Sequence, residues 1–170
     1  YMVYDNRDRL VLTQDGNLRK DTLGMELKNW VFTKYDALNR PVLTGILTAD
    51  SALAQGGMQR RVNRYYRNLS AGQAWFEDYI GNAGGNIYGY SNKSYPQIST
   101  LISYLSATYY DNYDFRSLLV GQYNYMSDVL MQTVDGVLYK QPSTLNTNVK
   151  GLVTGAKLKV LDGGLTGGYT

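Results

Sequence analysis

Short alternations of apolar and polar residues, each ended by a polar cluster, recur along the chain. Met2-Val3-Tyr4 and Arg9-Leu10-Val11-Leu12-Thr13 flank Asp5-Asn6-Arg7-Asp8, which reads as two strands around a tight turn over residues 1–14. Asp15-Gly16-Asn17 signals a second turn, and residues 18–29 read as a loop. Trp30-Val31-Phe32-Thr33-Lys34-Tyr35 then repeats the first pattern. Asp36-Ala37-Leu38-Asn39 forms the turn and Arg40-Pro41-Val42-Leu43-Thr44-Gly45 the return. Pro41 has no N–H to donate, which places it at a strand start or an edge.

The period changes after residue 48. Asp50 or Ser51 is a candidate cap for a helix through Ala52-Leu53-Ala54, which Gly56-Gly57 is expected to interrupt. Met58, Val62, Tyr65, Tyr66 and Leu69 then fall at helical spacing. Residues 75–80 read as a short helical turn or strand, and 81–97 as an irregular connection. The strand pattern returns over residues 98–110. An Asp135-Gly136 pair between apolar flanks predicts a hairpin over residues 129–140, and residues 156–161 alternate cleanly. The expectation is a mainly β chain of consecutive antiparallel hairpins with one helical insertion around residues 50–69. It is organised as two hairpins (1–48), a helical and irregular insertion (49–97) and further hairpins (98–170).

Composition sharpens this picture. The chain has 17 Tyr against 3 Phe and 2 Trp, and tyrosine favours a half-buried pleated surface. Cys and His are both absent, which removes thiol nucleophiles, disulfides, imidazole bases and the usual zinc ligands. The net charge of +3 is smaller than the charge on Arg60, Arg61, Arg64 and Arg67 alone, so the rest is slightly acidic and nucleic acid is not expected as a partner. No apolar run approaches the roughly 18 residues of a membrane-spanning helix. The start at Tyr1 and the Gly-rich end read as internal points of a longer polypeptide.

Two stretches match position by position. Tyr4-Asp5-Asn6-Arg7-Asp8-Arg9-Leu10-Val11 and Tyr35-Asp36-Ala37-Leu38-Asn39-Arg40-Pro41-Val42 both read Tyr-Asp-x-x-x-Arg-x-Val, and Tyr110-Asp111-Asn112-Tyr113-Asp114-Phe115 echoes the front half. Self-similar units of this kind indicate stacked architecture. The Tyr ring lies on the sheet, and Asp accepts turn N–H groups. The position that must tolerate positive φ is expected at Asp8, Asn39 and Asp114. Arg, four residues after Asp, reaches back to its carboxylate. As an exposed pair this contributes at most about 1 kcal/mol, so the motif is read as specifying turn and register rather than as a main stabiliser.

These units resemble the Tyr-Asp-x-x-Gly-Arg signature of Rhs/YD-repeat proteins, with Asp or Asn in place of Gly. The similarity is closer to the long YD-repeat proteins of the Bacteroidetes type. It extends through Arg9–Asp15, Lys34–Pro41, Tyr109–Phe115 and Lys150-Gly151-Leu152-Val153-Thr154-Gly155. The resemblance implies a secreted or cell-surface structural segment, with Tyr4, Asp5, Arg9, Tyr35, Asp36, Arg40, Tyr110 and Asp111 as its motif residues. It implies a β-shell whose partners are the rest of its own long chain, an enclosed polypeptide such as a C-terminal toxin, and secretion machinery. Residues 50–97 depart from the family's short repeat period and are expected to lie outside the shell or to plug it.

Other chemistry competes with this reading. The arginine face of the helix suits anionic lipid or nucleic acid, but equally a solvated surface. The Tyr/Trp-rich stretch 75–95 suits sugar stacking, so a surface adhesin or carbohydrate-binding module is the rival reading; sheet packing is the plainer one. Glu26, Glu77 and Asp78 are the candidate acid–base carboxylates, without a fixed spacing. Asp111-Asn112-Tyr113-Asp114 lacks the ligand pattern of a calcium loop, and the glycine pairs near the end lack the lysine of a phosphate loop. The chain is thus expected to be non-catalytic, with no cofactor and no metal.

Overall fold

The computed structural model describes residues 1–19, 29–49, 53–82, 88–97, 101–119, 125–126, 131–140 and 142–160. It is mainly β. Six antiparallel strands form one sheet in the order β1 (Met2–Tyr4), β2 (Leu10–Thr13), β3 (Asn29–Tyr35), β4 (Pro41–Thr48), β5 (Ile102–Tyr110) and β8 (Val153–Leu158). A separate ribbon pairs β6 (Met131–Val134) with β7 (Val137–Lys140). Its turn places both Asp135 and Gly136 at positive φ, as the Asp-Gly pair predicts.

Alternation along β3 sets the two faces of the sheet. Trp30, Phe32 and Lys34 are buried on one face, while Val31, Thr33 and Tyr35 are half-buried on the other. Register carries the buried face to Leu47, Gly45 and Leu43 on β4, and then to Ile102, Tyr104 and Ala107 on β5. Gly45 is needed here: a Cβ would run into the Phe32 ring and the Ser103 carbonyl.

The segment between β4 and β5 covers this buried face. Helix α2 (Gln55–Arg67) buries Met58, Val62 and Tyr66 against Val3, Trp30 and Phe32. Gly56-Gly57 does not interrupt it, contrary to expectation. Both glycines lie in its first turn, where N–H groups lack intrahelical partners anyway, and Gly57 lets the Leu53 side chain approach closely. The observed N-cap residue is Ala54, and the expected caps Asp50 and Ser51 lie outside the described residues. A short helical turn, α1 (Gly16–Arg19), replaces the start of the predicted loop. Residues 75–80 form bends with one antiparallel bridge from Tyr79 to Tyr90. Beside this bridge Tyr88, Tyr90, Ala107 and Tyr109 form a second buried cluster.

Candidate functional site: a ladder of Tyr-Asp corners

The two matched stretches fold alike, atom for atom. In the first, the Asp5 N–H donates to the Arg9 carbonyl at 3.0 Å, and the Asp8 N–H to the Asp5 carbonyl at 3.1 Å. In the second, Asp36 and Arg40 are joined at 3.0 Å and Asn39 and Asp36 at 3.1 Å. One oxygen of Asp5 accepts the N–H groups of Arg7 (2.9 Å) and Arg9 (3.0 Å), and the other accepts Arg9 Nε at 2.8 Å. Asp36 does the same with Leu38 (2.9 Å), Arg40 N (2.8 Å) and Arg40 Nε (2.7 Å). Asp8 and Asn39 take φ of 57° and 62°, the left-handed conformation expected of them. A register shift precedes each corner, at Val3/Tyr4 and at Lys34/Tyr35.

Each arginine also grips the next corner. The Arg9 guanidinium lies over the Tyr35 ring at 5.0 Å and donates to Asn39 Oδ1 at 3.1 Å, while Tyr35 Oη donates to the Leu10 carbonyl at 2.8 Å. One corner along, Arg40 lies over Tyr110 at 4.2 Å and Tyr110 Oη donates to the Pro41 carbonyl at 3.1 Å. Arg40 then holds Asp111 with two nitrogens, at 3.0 and 2.6 Å. Carboxylate, guanidinium, ring and carbonyl thus run from corner to corner across the sheet.

The third corner is closed differently from the expectation. Asp114 begins a short 3-10 helix (Asp114–Leu118), and the positive φ, 71°, belongs to Asp111 itself. The return half lies about 40 residues on. The Asp111 N–H donates to the Leu152 carbonyl at 3.1 Å, where Arg9 and Arg40 stand in the earlier corners. Tyr110 pairs with Val153 as Tyr4 pairs with Leu10 and Tyr35 with Pro41. Gly151, with φ 84°, stands at the place of Asp8 and Asn39, and its N–H donates to Asp111 Oδ1 at 2.6 Å. The backbone of the corner is therefore retained but split, with residues 112–150 inserted into its turn. Its return half carries Leu152 in place of arginine.

Electrostatics follow the geometry. The Arg40 hydrogen bond, then the Gly151 amide, holds the Asp111 carboxyl down to about 2. Burial raises the Tyr35 and Tyr110 hydroxyls, against the pull of Arg9 and Arg40 respectively. The Asp5–Arg9 pair is not exposed, contrary to expectation. Its side chains retain 0% and 8% of their surface, and the Trp75 carbonyl accepts Arg9 Nη2 at 2.6 Å. Removing one partner of such a pair strands a buried charge and costs about 3–5 kcal/mol.

A buried ion pair fastens the covering segment to the sheet. Lys34 Nζ donates to Glu77 Oε1 (3.0 Å), Asn92 Oδ1 (2.7 Å) and the Ser94 carbonyl (3.1 Å), which use its three protons. Glu77 also accepts from Ser91 Oγ (2.7 Å), Ser94 Oγ (2.7 Å), Lys93 N (3.0 Å) and Ser94 N (3.0 Å). Burial disfavours the charged carboxylate, but Lys34 and the other donors outweigh it and hold Glu77 below its ordinary range. Of the candidate acid–base carboxylates, Glu77 is thus fully occupied and Asp78 is bound by Lys93 at 3.0 Å; Glu26 lies outside the described residues.

A cleft of about 230 Å³ lies between the second and third corners, lined among others by Arg40, Tyr79, Tyr90, Tyr109 and Tyr110. Its aromatic rings are largely engaged with one another: Tyr90 stacks on Tyr109 at 5.8 Å, and Tyr109 on Phe115 at 4.6 Å. Among the described residues no group of acidic side chains is placed to hold a metal ion, and no helix is long and apolar enough to cross a membrane. No protein-family model, curated protein or solved structure matches the chain.

The sequence offers Glu77 as an acid–base candidate and Gly151-Leu152-Val153 as a family landmark, but not the roles they take here, as the partner of Lys34 and as the return half of the third corner. The alternation that buries Trp30 and Phe32 places Lys34 on the same face, where a lysine requires a buried acidic partner.

Proposed function

We propose that this chain is a wall section of a secreted or cell-surface Rhs/YD-repeat β-shell, whose role is to enclose or display a polypeptide such as a C-terminal toxin. The observation that carries the reading is the arginine ladder. Arg9 and Arg40 each bind the carboxylate of their own corner and the ring and turn of the next, so successive hairpins are held in one register. This is the behaviour expected of units that cannot bury their own faces and must stack. Burial of Tyr88, Tyr90, Tyr95 and Tyr109 between the sheet and its covering segment favours packing over sugar binding for this tyrosine-rich region. The role is mechanical, with the acids and arginines of the ladder engaged with one another.

The test is an electron cryo-microscopy structure of the parent polypeptide, with limited proteolysis alongside. The sheet is expected to continue beyond β8 into a closed wall, and the enclosed polypeptide to resist protease until the wall is denatured. A parent whose sheet ends at β8, with its remaining polypeptide open to cleavage, would overturn the proposal.

A further inference from the structure

We infer that α2 serves as a substitute strand that seals the β1 edge of the sheet against pairing with another chain. This holds whether or not the sheet belongs to a shell. Tyr1 exchanges hydrogen bonds with Gln14, so the polar groups of the odd-numbered residues face β2 and those of Met2 and Tyr4 face outward. Such outward groups are the usual template for edge-to-edge association. Here α2 takes them. The Gln59 carboxamide accepts the Tyr4 N–H at 3.1 Å and donates to the Tyr4 carbonyl at 2.6 Å, the same donor–acceptor pair that a strand residue presents. Gln55 Nε2 donates to the Met2 carbonyl at 3.0 Å. Asn63 Oδ1 accepts from Gln59 Nε2 at 2.9 Å and fixes the orientation of the amide.

The spacing explains why a helix succeeds in this position. Four residues of helix advance about 6 Å, and two residues of strand about 6.8 Å. Glutamines at i and i+4 therefore track alternate residues of an edge strand. The neighbouring stripe of α2, Met58, Val62 and Tyr66, enters the core and holds the helix at that distance. The partner that the seal excludes is β1 of a second copy, which would offer the same alternating groups in antiparallel register.

The test is Gln55→Ala/Gln59→Ala in the chain as described. Alanine favours the helix and the core anchors of α2 are retained, so the fold should survive. Two readouts are needed: exchange of the Tyr4 amide by NMR, and mass by light scattering across a concentration series. Tyr4 exchange is expected to accelerate about tenfold, as loss of one hydrogen bond implies, and the variant to associate toward a dimer where the wild type does not. Adding Met2→Lys should return it to monomer, because like charges then meet across the pair. Unchanged Tyr4 exchange, faster exchange without association, or association that survives Met2→Lys would each overturn the inference.

Discussion

The first and third corners share an acid whose N–H is accepted by a carbonyl of the return strand and a left-handed residue just before it, yet one is closed by adjacent chain and the other by a segment about 40 residues away. In the first, Asp5 is fully buried and bound by Arg9, four residues on. In the third, Asp111 keeps about a third of its side-chain surface and is bound by Arg40 of the previous corner and by the amide of Gly151. A corner of this type is therefore defined by which atoms surround the carboxylate rather than by chain continuity. Three things recur: donors to the acid, a residue at positive φ, and a carbonyl that accepts the N–H of the acid itself.

The comparison can be broken most forcefully at the first corner. Asp5→Ala leaves Arg9 charged and buried, and should lower the unfolding free energy by about 3–5 kcal/mol in urea titrations. A loss below about 1 kcal/mol would mean that the pair behaves as a surface pair. Asp36→Ala, at the half-buried second corner, should cost about 2 kcal/mol, the scale of lost hydrogen bonds to a charged group. Gly151→Ala should cost about 1 kcal/mol, because it forces a Cβ into the left-handed region; Asp8→Gly at the matching position should change stability by less than about 0.5 kcal/mol. If both were neutral, the split corner would not need the conformation it shares with the others.

A small effect also belongs to Asp111. Asp111→Asn should cost no more than about 1 kcal/mol at neutral pH, since the pair is partly exposed. The sign of its pH dependence is definite. With the folded carboxyl at about 2 and the unfolded one near an ordinary 3.9, its contribution is present above pH ~4 and is lost as pH falls toward 2. The difference in stability between wild type and Asp111→Asn should therefore shrink over that window. A difference that stays constant would show that the Arg40 and Gly151 contacts do not favour the ionised form.

The contiguous corners were legible in the sequence because everything they need lies within eight residues. Tyr-Asp-x-x-x-Arg carries the acid, the αL-tolerant residue and the base in order, and alternation on either side supplies the strands. The Asp135-Gly136 hairpin was legible for the same reason. The third corner is not legible because its two halves are separated in the chain: the nearest aspartate, Asp114, has the residue type for the left-handed position, but Gly151 supplies it. Arg9 of the buried pair also donates to the Trp75 carbonyl, a contact across 66 residues that no local pattern announces. The continuity of α2 through Gly56-Gly57 was missed because a glycine's effect depends on where in a helix it falls. Lys34 was visible as a charge in a buried register, but its partner Glu77 was set only by the path of the covering segment.

The split corner has one more consequence. Residues 111 and 151 meet at a single carboxylate, so the polypeptide between them leaves the sheet and rejoins it at one place. Phe115 and Leu118 pack against the second buried cluster and Val149 is buried, so it is the stretch between Leu118 and Val149 that should tolerate lengthening, shortening or exchange without shifting the strands on either side. Such a position is a natural grafting port, where a new module is added to a finished framework while the framework keeps its alignment.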